Sequence, residues 1–368
     1  MERYQNKDLI KALDNGKRYI KTNFRFHLCS TSPIKSHNTS FALSDPSNAS
    51  LQADDNTTND ICSDCFSLQK CLDDITDMVK LQNADEDTIY DVKIAIKQIQ
   101  NYIHHLVRDF QQRKAKIACF EDSTETRGLW LKDFCQKILP QKYREAMKDY
   151  FGKKGMSLHV DLFVCHAEGK LAKKVYFTGI YRCDQAMIDT LAIADAVLDE
   201  MKKDFPKVVE LFAKSDNAGC YHSNYAAECI RELCSEKGLI LKRYDYNEPC
   251  CGKDDCDRVS AGAKCVIKSY INAGNDLINV IDLHKALQYG NGVQNAKCGI
   301  IEIDSKKSRI QNVVRIANIS NYQSVQFKEN EMIFWRYFNI GKAIVVRMSK
   351  PKVVTGKVCA KEYVKNSD

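Results

Sequence analysis

The sequence predicts a mixed α/β fold: a five-stranded sheet flanked by helices, with a helical region before it and a small α+β extension after it. Three observations predict this. β-rich and amphipathic runs alternate in the order β-β-β-α-β-α-β-α between residues 125 and 275. The helical runs stop at Pro206, Gly238 and Gly274, residues that end helices. The chain has 368 residues, 44% of them hydrophobic and 28% charged, enough apolar content to build a core of that size.

Residues 1–22 read as a short helix. Residues 30–60 are rich in Ser, Asn, Thr and Asp, contain Pro33 and Pro46, and read as a long irregular segment. Val92, Ile96, Ile99, Ile103, Leu106 and Phe110 recur at three- and four-residue steps, which marks an amphipathic helix. His104 and His105 flank that stripe as surface or edge residues. "EDSTETRG" then breaks the chain, and "LWLKDF" opens the sheet. "GMSLHVDLFVC" and "KVYFTGIYRC" form a strand pair around the turn "HAEGK". In the first of these, Leu158, Val160, Leu162 and Val164 share one face, and His159, Asp161 and Phe163 the other.

"DQAMIDTLAIADAVLDEMKKDF" is a helix expected to be capped by Asp184 and stopped at Pro206. "KVVELFAKSD" and "LILKRYDYNE" are strands, each followed by a helix. Beyond residue 275 come a helix near 276–288 and short strands such as "CGIIEI" and "AIVVRM". The expected organisation is an N-terminal region over 1–124, a core over 125–275 and an extension over 276–368.

The formal charge of +7 permits nucleic-acid binding without requiring it. The end of the chain is more basic, with Lys342, Arg347, Lys350, Lys352, Lys357, Lys361 and Lys365 against Glu362 and Asp368. That tail reads equally as a solvated surface or as a phosphate contact. The N-terminus has no apolar leader and no run approaches a membrane span, so a soluble, intracellular protein is expected. The 17 cysteines are odd in number and scattered through strands and helices, which predicts reduced, mostly buried thiols.

The chemistry-bearing pattern is a trio of aspartates in fold order. Asp133 lies in the first strand. Asp216 lies at the tip of the fourth strand, 83 residues on, and Asp257 in the first turn of a helix a further 41 on. If the first strand sits centrally with the Asp216 strand parallel beside it, the carboxylates cluster. Clustered carboxylates repel unless a cation joins them, and hard oxygen donors suit Mg²⁺ or Mn²⁺. Two such ions can activate a water or hydroxyl for phosphodiester chemistry. Asp161 is a rival for the first position, but it leaves one strand between the acids and orphans Asp133. Each acid also has a plain reading: Asp216 as a helix cap, Asp257 as a dipole partner and Asp133 as an edge residue.

The strand order and acid placement resemble the ribonuclease H-like fold of transposases, integrases and related nucleases. "LPQKYREAMKDYFGKKGMSLHV", "SDNAGCYHS", "GKDDCDR" and "NYQSVQFKENEMIFWRYFNIG" resemble a transposon-derived family found in animal genomes. The resemblance implies that the family's acids fall on Asp133, Asp216 and Asp257. The chain departs from the family pattern at Lys132 and Asp254. The implied function is a divalent-metal-dependent DNA strand-transferase or nuclease, expected in the nucleus, with an oligomer compatible. The alternative is an inactive remnant or domesticated module that binds DNA or protein. An unrelated small-molecule site lacks support, because no Gly-rich phosphate fingerprint is present.

Basic and polar neighbours could contact a DNA backbone: Lys153, Lys154, His222, Lys253 and Arg258. Capping, packing or a solvated basic face explains them equally. Cys250 and Cys251 are adjacent and read as packing residues. A second candidate lies N-terminally. Cys62 and Cys65 form a CxxC, half of a structural Zn²⁺ site, and Cys29 and His37 can complete four ligands. A degenerate finger with buried cysteines is the alternative.

Overall fold

The computed structural model describes residues 2–44, 51–53, 57–181, 184–248, 255–304 and 306–365. The chain forms two compact units. One comprises residues 1–115 and 335–344, the other 116–334 and 345–368.

The first unit is helical: α1 (Glu2–Thr22), α2 (Phe24–His27), α3 (Thr39–Leu43), α4 (Ser63–Leu81) and most of α5 (Glu86–Glu121). Tyr19, Ile20 and Phe24 pack with Leu68 and Leu72 of α4 and Leu106 and Val107 of α5. These positions recur at helical spacing, so each helix buries one stripe. Asn38 caps α3, its side chain accepting from the Phe41 N–H.

The second unit contains β1 (Arg127–Phe134), β2 (Ser157–Ala167), β3 (Lys170–Ile180), α6 (Met187–Asp204), β4 (Glu210–Ser215), α7 (Ala226–Glu236), β5 (Ile240–Tyr246), α8 (Asp255–Asn272), α9 (Val280–Leu287) and β6 (Ala296–Ile303). It ends with β7 (Arg309–Gln311), β8 (Ser324–Phe327), β9 (Glu331–Trp335), β10 (Ile344–Arg347), β11 (Lys352–Val354) and β12 (Lys357–Lys365).

The element order expected over the core is found, but the expected sheet of five strands is not. Among the described residues the sheet has ten, in the order β10-β9-β8-β5-β4-β1-β2-β3-β6-β12. The five core strands occupy its centre, and strands from beyond residue 275 extend both sides. The physical reason is that β3 and β5 would otherwise be open edges, which β6 and β8 satisfy. β1 is antiparallel to β2 and parallel to β4, so the sheet is mixed. β7 and β11 form a separate two-stranded ribbon.

Side chains alternate across the sheet as the sequence implies. Leu129, Leu131, Leu158, Val160, Leu162 and Val164 face one core, packed by Ala263, Ile267 and Ile271 of α8 and Leu283 and Leu287 of α9. The opposite face carries Trp130, Phe163 and Tyr176, all buried, under α6. The Tyr176 hydroxyl donates to Asp204 at the end of α6 at 2.9 Å, and Phe163 meets Phe205 at a centroid distance of 4.8 Å.

The expected cap of α6 is corrected. The helix starts after Ala186, and Asp184 is exposed two residues before that. The Asp189 carboxylate instead accepts from the Ala186 N–H at 2.9 Å, so an acid inside the first turn does the work. The cysteines among the described residues are free thiols, and eight of them are buried. No helix of the described residues is long and apolar enough to cross a membrane.

Candidate active site

β1 and β4 are the central parallel pair. Their register runs Leu131↔Lys214 and Lys132↔Ser215, so the residues that follow, Asp133 and Asp216, leave the pair at the same level. Asp133 shares the parity of Leu129 and Leu131, hence the face covered by α8. Asp257 stands in the first turn of α8 and is exposed. One turn later Ser260 meets Cys135, with Oγ and Sγ 3.0 Å apart, which pins the start of α8 to the end of β1.

The three acids share an electrostatic neighbourhood. Burial pushes the Cys135 thiol up to about 11, and the charges of Asp133 and Asp257 add to the rise. Burial pushes Cys220 up to about 12, with Asp216 and Asp133 adding. Asp133 is the acid whose charge acts on both thiols. The Asp216 carboxyl is held above its ordinary value, chiefly by burial, against an opposing hydrogen bond from the Ala218 N–H at 3.0 Å. Asp216 is not a helix cap, because α7 starts only after Tyr225. Among the described residues, no group of three metal-ligating side chains that includes these acids has its donor atoms within 4.8 Å of one another.

Asp161, the rival first acid, points to the other face and is fully buried. Trp130 Nε1 donates to its Oδ1 at 2.8 Å, and His159 Nδ1 lies 2.8 Å from its Oδ2. His159 Nε2 in turn meets the Tyr221 hydroxyl at 2.7 Å. A carboxylate so engaged has little capacity left for an ion. The sequence alternation already put His159 and Asp161 on one face, but the chain to Trp130 and Tyr221 was missed, since both partners come from other elements.

Lys132 also turns to this face, away from Asp133. Its Nζ lies 4.5 Å from the Trp130 ring centroid and 4.6 Å from that of Tyr244. Burial lowers its pKa to about 8, while the charge of Asp161 opposes the fall. On the α8 face the sequence reading missed a second charged group. Lys214 pairs in register with Asp245, which accepts from Arg243 Nε at 2.9 Å and from Ser324 Oγ at 2.5 Å.

The basic candidates fare differently. Lys153 is drawn inward, donating to the Pro140 carbonyl at 2.7 Å and pairing with Glu145. Arg258 pairs with Asp255, which also holds Lys116 at 2.7 Å. His222 is buried, bonded to Asn217 and stacked on Tyr246 at 3.9 Å, and burial lowers its pKa to about 4. Lys154 is exposed. Lys253, with Asp254, Cys250 and Cys251, lies outside the described residues.

In the first unit, His37, Cys62 and Cys65 each meet the Tyr19 hydroxyl, and Cys29 does not join them. Cys29 is exposed, with Sγ 3.3 Å from Thr31 Oγ1. Its backbone pairs with residues 37–39 and so positions His37. His27 takes the place expected for Cys29: the donor atoms of His27, His37 and Cys62 all lie within 4.8 Å of one another.

No protein-family model and no curated protein matches the chain. Among solved structures, the chain is similar to the Mn-soaked, inhibitor-bound nuclease domain of human cytomegalovirus terminase. The identity is 14%, over 47% of this chain and 67% of that one, with a TM-score of 0.23.

Proposed function

We propose that the second unit is a ribonuclease H-like, transposase-type module that cuts or joins DNA with Mg²⁺ or Mn²⁺ held by Asp133, Asp216 and Asp257. One observation carries the reading: the β1–β4 register, which sends Asp133 and Asp216 off the central parallel pair at one level. The Cys135–Ser260 contact supports the third ligand, by holding the first turn of α8 beside Asp133. The raised Asp216 carboxyl fits a group that gains from a cation, since burial without a countercharge disfavours its ionised form.

Bound there, divalent ions would supply an activated nucleophile and neutralise charge on a phosphodiester. The chain's own residues do the positioning. The Asp161–His159–Tyr221 chain anchors the turn after Asp216. Asp257, exposed in the first turn of α8, would be the third ligand. Exposed Lys154 is the remaining described candidate for a DNA phosphate.

The alternative is a transposon-derived module that binds DNA or protein without cleaving. It is favoured by the spacing of the acids, whose donor atoms do not meet within 4.8 Å as a group of three. Calorimetric titration with Mn²⁺, on the wild type and on Asp216→Asn, decides between them. Binding that is lost in the variant, followed by metal-dependent cleavage of DNA, is the expected result. No binding by either protein at millimolar Mn²⁺ rejects the enzyme and leaves the binding module.

A further inference from the structure

Tyr19 lies on α1 in the first unit and is 6% exposed. Four donor atoms surround its hydroxyl: His27 Nδ1 at 3.1 Å, His37 Nε2 at 3.2 Å, Cys65 Sγ at 3.3 Å and Cys62 Sγ at 3.6 Å. His37 Nε2 also lies 3.2 Å from Cys65 Sγ. A phenol has one proton to give and two lone pairs, so it cannot serve four partners at once. Two nitrogens and two sulfurs converging on one point are instead the donor set of a structural zinc.

We propose that His27, His37, Cys62 and Cys65 bind one zinc ion, and that the Tyr19 hydroxyl yields the centre of the cluster to it. The ligands arrive from three places. His27 ends α2. His37 is set by its backbone pairing with Cys29. Cys62 immediately precedes α4 and Cys65 sits in its first turn. A contraction of roughly 1 Å converts the hydroxyl-centred distances to the usual Zn–N and Zn–S lengths of about 2.0–2.3 Å. Both thiol protons leave to solvent, and the two thiolates neutralise the ion. Four protein ligands leave no open position, so the site is structural. It would tie α2, the segment around His37 and α4 together beside the apolar cluster that Cys62 and Cys65 pack against. His27 is exposed, which gives the ion an entry path.

The test uses the full, reduced, metal-free chain titrated with Co²⁺ as a spectroscopic substitute. The expected spectrum has a thiolate-to-cobalt charge-transfer band and tetrahedral ligand-field bands, both quenched by Zn²⁺. Cys29→Ser and Asp216→Asn keep the band, and the double variant Cys62→Ser/Cys65→Ser loses it. His27→Cys preserves four ligands and raises the charge-transfer absorbance in proportion to its third thiolate, a gain that misfolding cannot imitate. A wild type with no charge-transfer band overturns the proposal. So does a band abolished by Cys29→Ser, or one that His27→Cys leaves unchanged.

Discussion

Lys132→Met removes a buried ammonium while keeping an unbranched side chain against Trp130 and Tyr244. Burial holds the folded-state pKa of Lys132 near 8, against an ordinary value of 10.5. Below pH 8 the lysine is protonated in both states, and the folded state bears the full cost of the buried charge. Between pH 8 and 10.5 the unfolded chain binds the proton and the folded chain does not, so stability rises with pH. From pH 7 to pH 10 this relieves ~2–3 kcal/mol, taking 1.36 kcal/mol per pKa unit. Other groups act in the opposite sense. Cys135, raised to about 11, and Cys119, Cys220, Cys229, Cys234 and Cys298, raised to about 12, cost stability as pH climbs past their ordinary value of 9.0. Those that do not feel Lys132 cancel in the difference, and Cys220 and Cys234, whose rise the Lys132 charge opposes, stay neutral in the folded state up to pH 10. Urea unfolding at several pH values therefore gives a wild type that gains on Lys132→Met by ~2–3 kcal/mol between pH 7 and pH 10. A stability difference that stays constant over that range would refute the buried charge.

Tyr221→Phe removes the hydroxyl that meets His159 Nε2 at 2.7 Å, leaving a buried nitrogen without its partner. It should cost about 1–3 kcal/mol in urea unfolding. Metal-free Asp216→Asn should melt higher than the wild type by calorimetry. Burial raises the carboxyl, so its ionised form is a liability at neutral pH, and the amide still accepts from Ala218. Gly341 has φ +67°, and a Cβ there would lie 2.4 Å from the Leu51 carbonyl oxygen. Gly341→Ala should therefore destabilise the first unit by at least about 1 kcal/mol, seen as a lower thermal midpoint. Cys29→Ser should change stability by less than about 0.5 kcal/mol and leave that midpoint nearly unmoved, since Cys29 is exposed and positions His37 through its backbone.

The core was legible where the signal is local. The alternation of Leu158, Val160, Leu162 and Val164 fixed the faces of β2, and the order of runs fixed which strands follow which. What escaped was long-range. Nothing near "CGIIEI" says that it pairs with β3, or near "NYQSVQF" that it extends β5, because both pairings close gaps of more than 70 residues. The candidate site shows the same division. Asp133, Asp216 and Asp257 could be named from their places in the element order. The Asp161–His159–Tyr221 chain and the Lys214–Asp245–Arg243 group depend on partners from separate elements. In the first unit the CxxC was visible, but His27 was passed over for Cys29. Spacing alone cannot tell a cysteine whose backbone sets its neighbour from a histidine whose ring reaches the cluster.

The basic end of the chain takes on a different meaning in β12. This strand closes the sheet at one margin, antiparallel to β6, with register breaks between Cys359 and Lys361 and between Lys361 and Val364. Val358 and Val364 are 47% and 50% exposed there. A straight, apolar margin of that kind would recruit a strand from a neighbouring molecule and polymerise. Two kinks in the ladder spoil the template, and Lys357 and Lys361 put charge along the strand. Lys357 is further tied to Asp195 and Asp199 of α6, both at 3.1 Å. The lysines that looked like an offer to phosphate thus also guard the protein against its own copies.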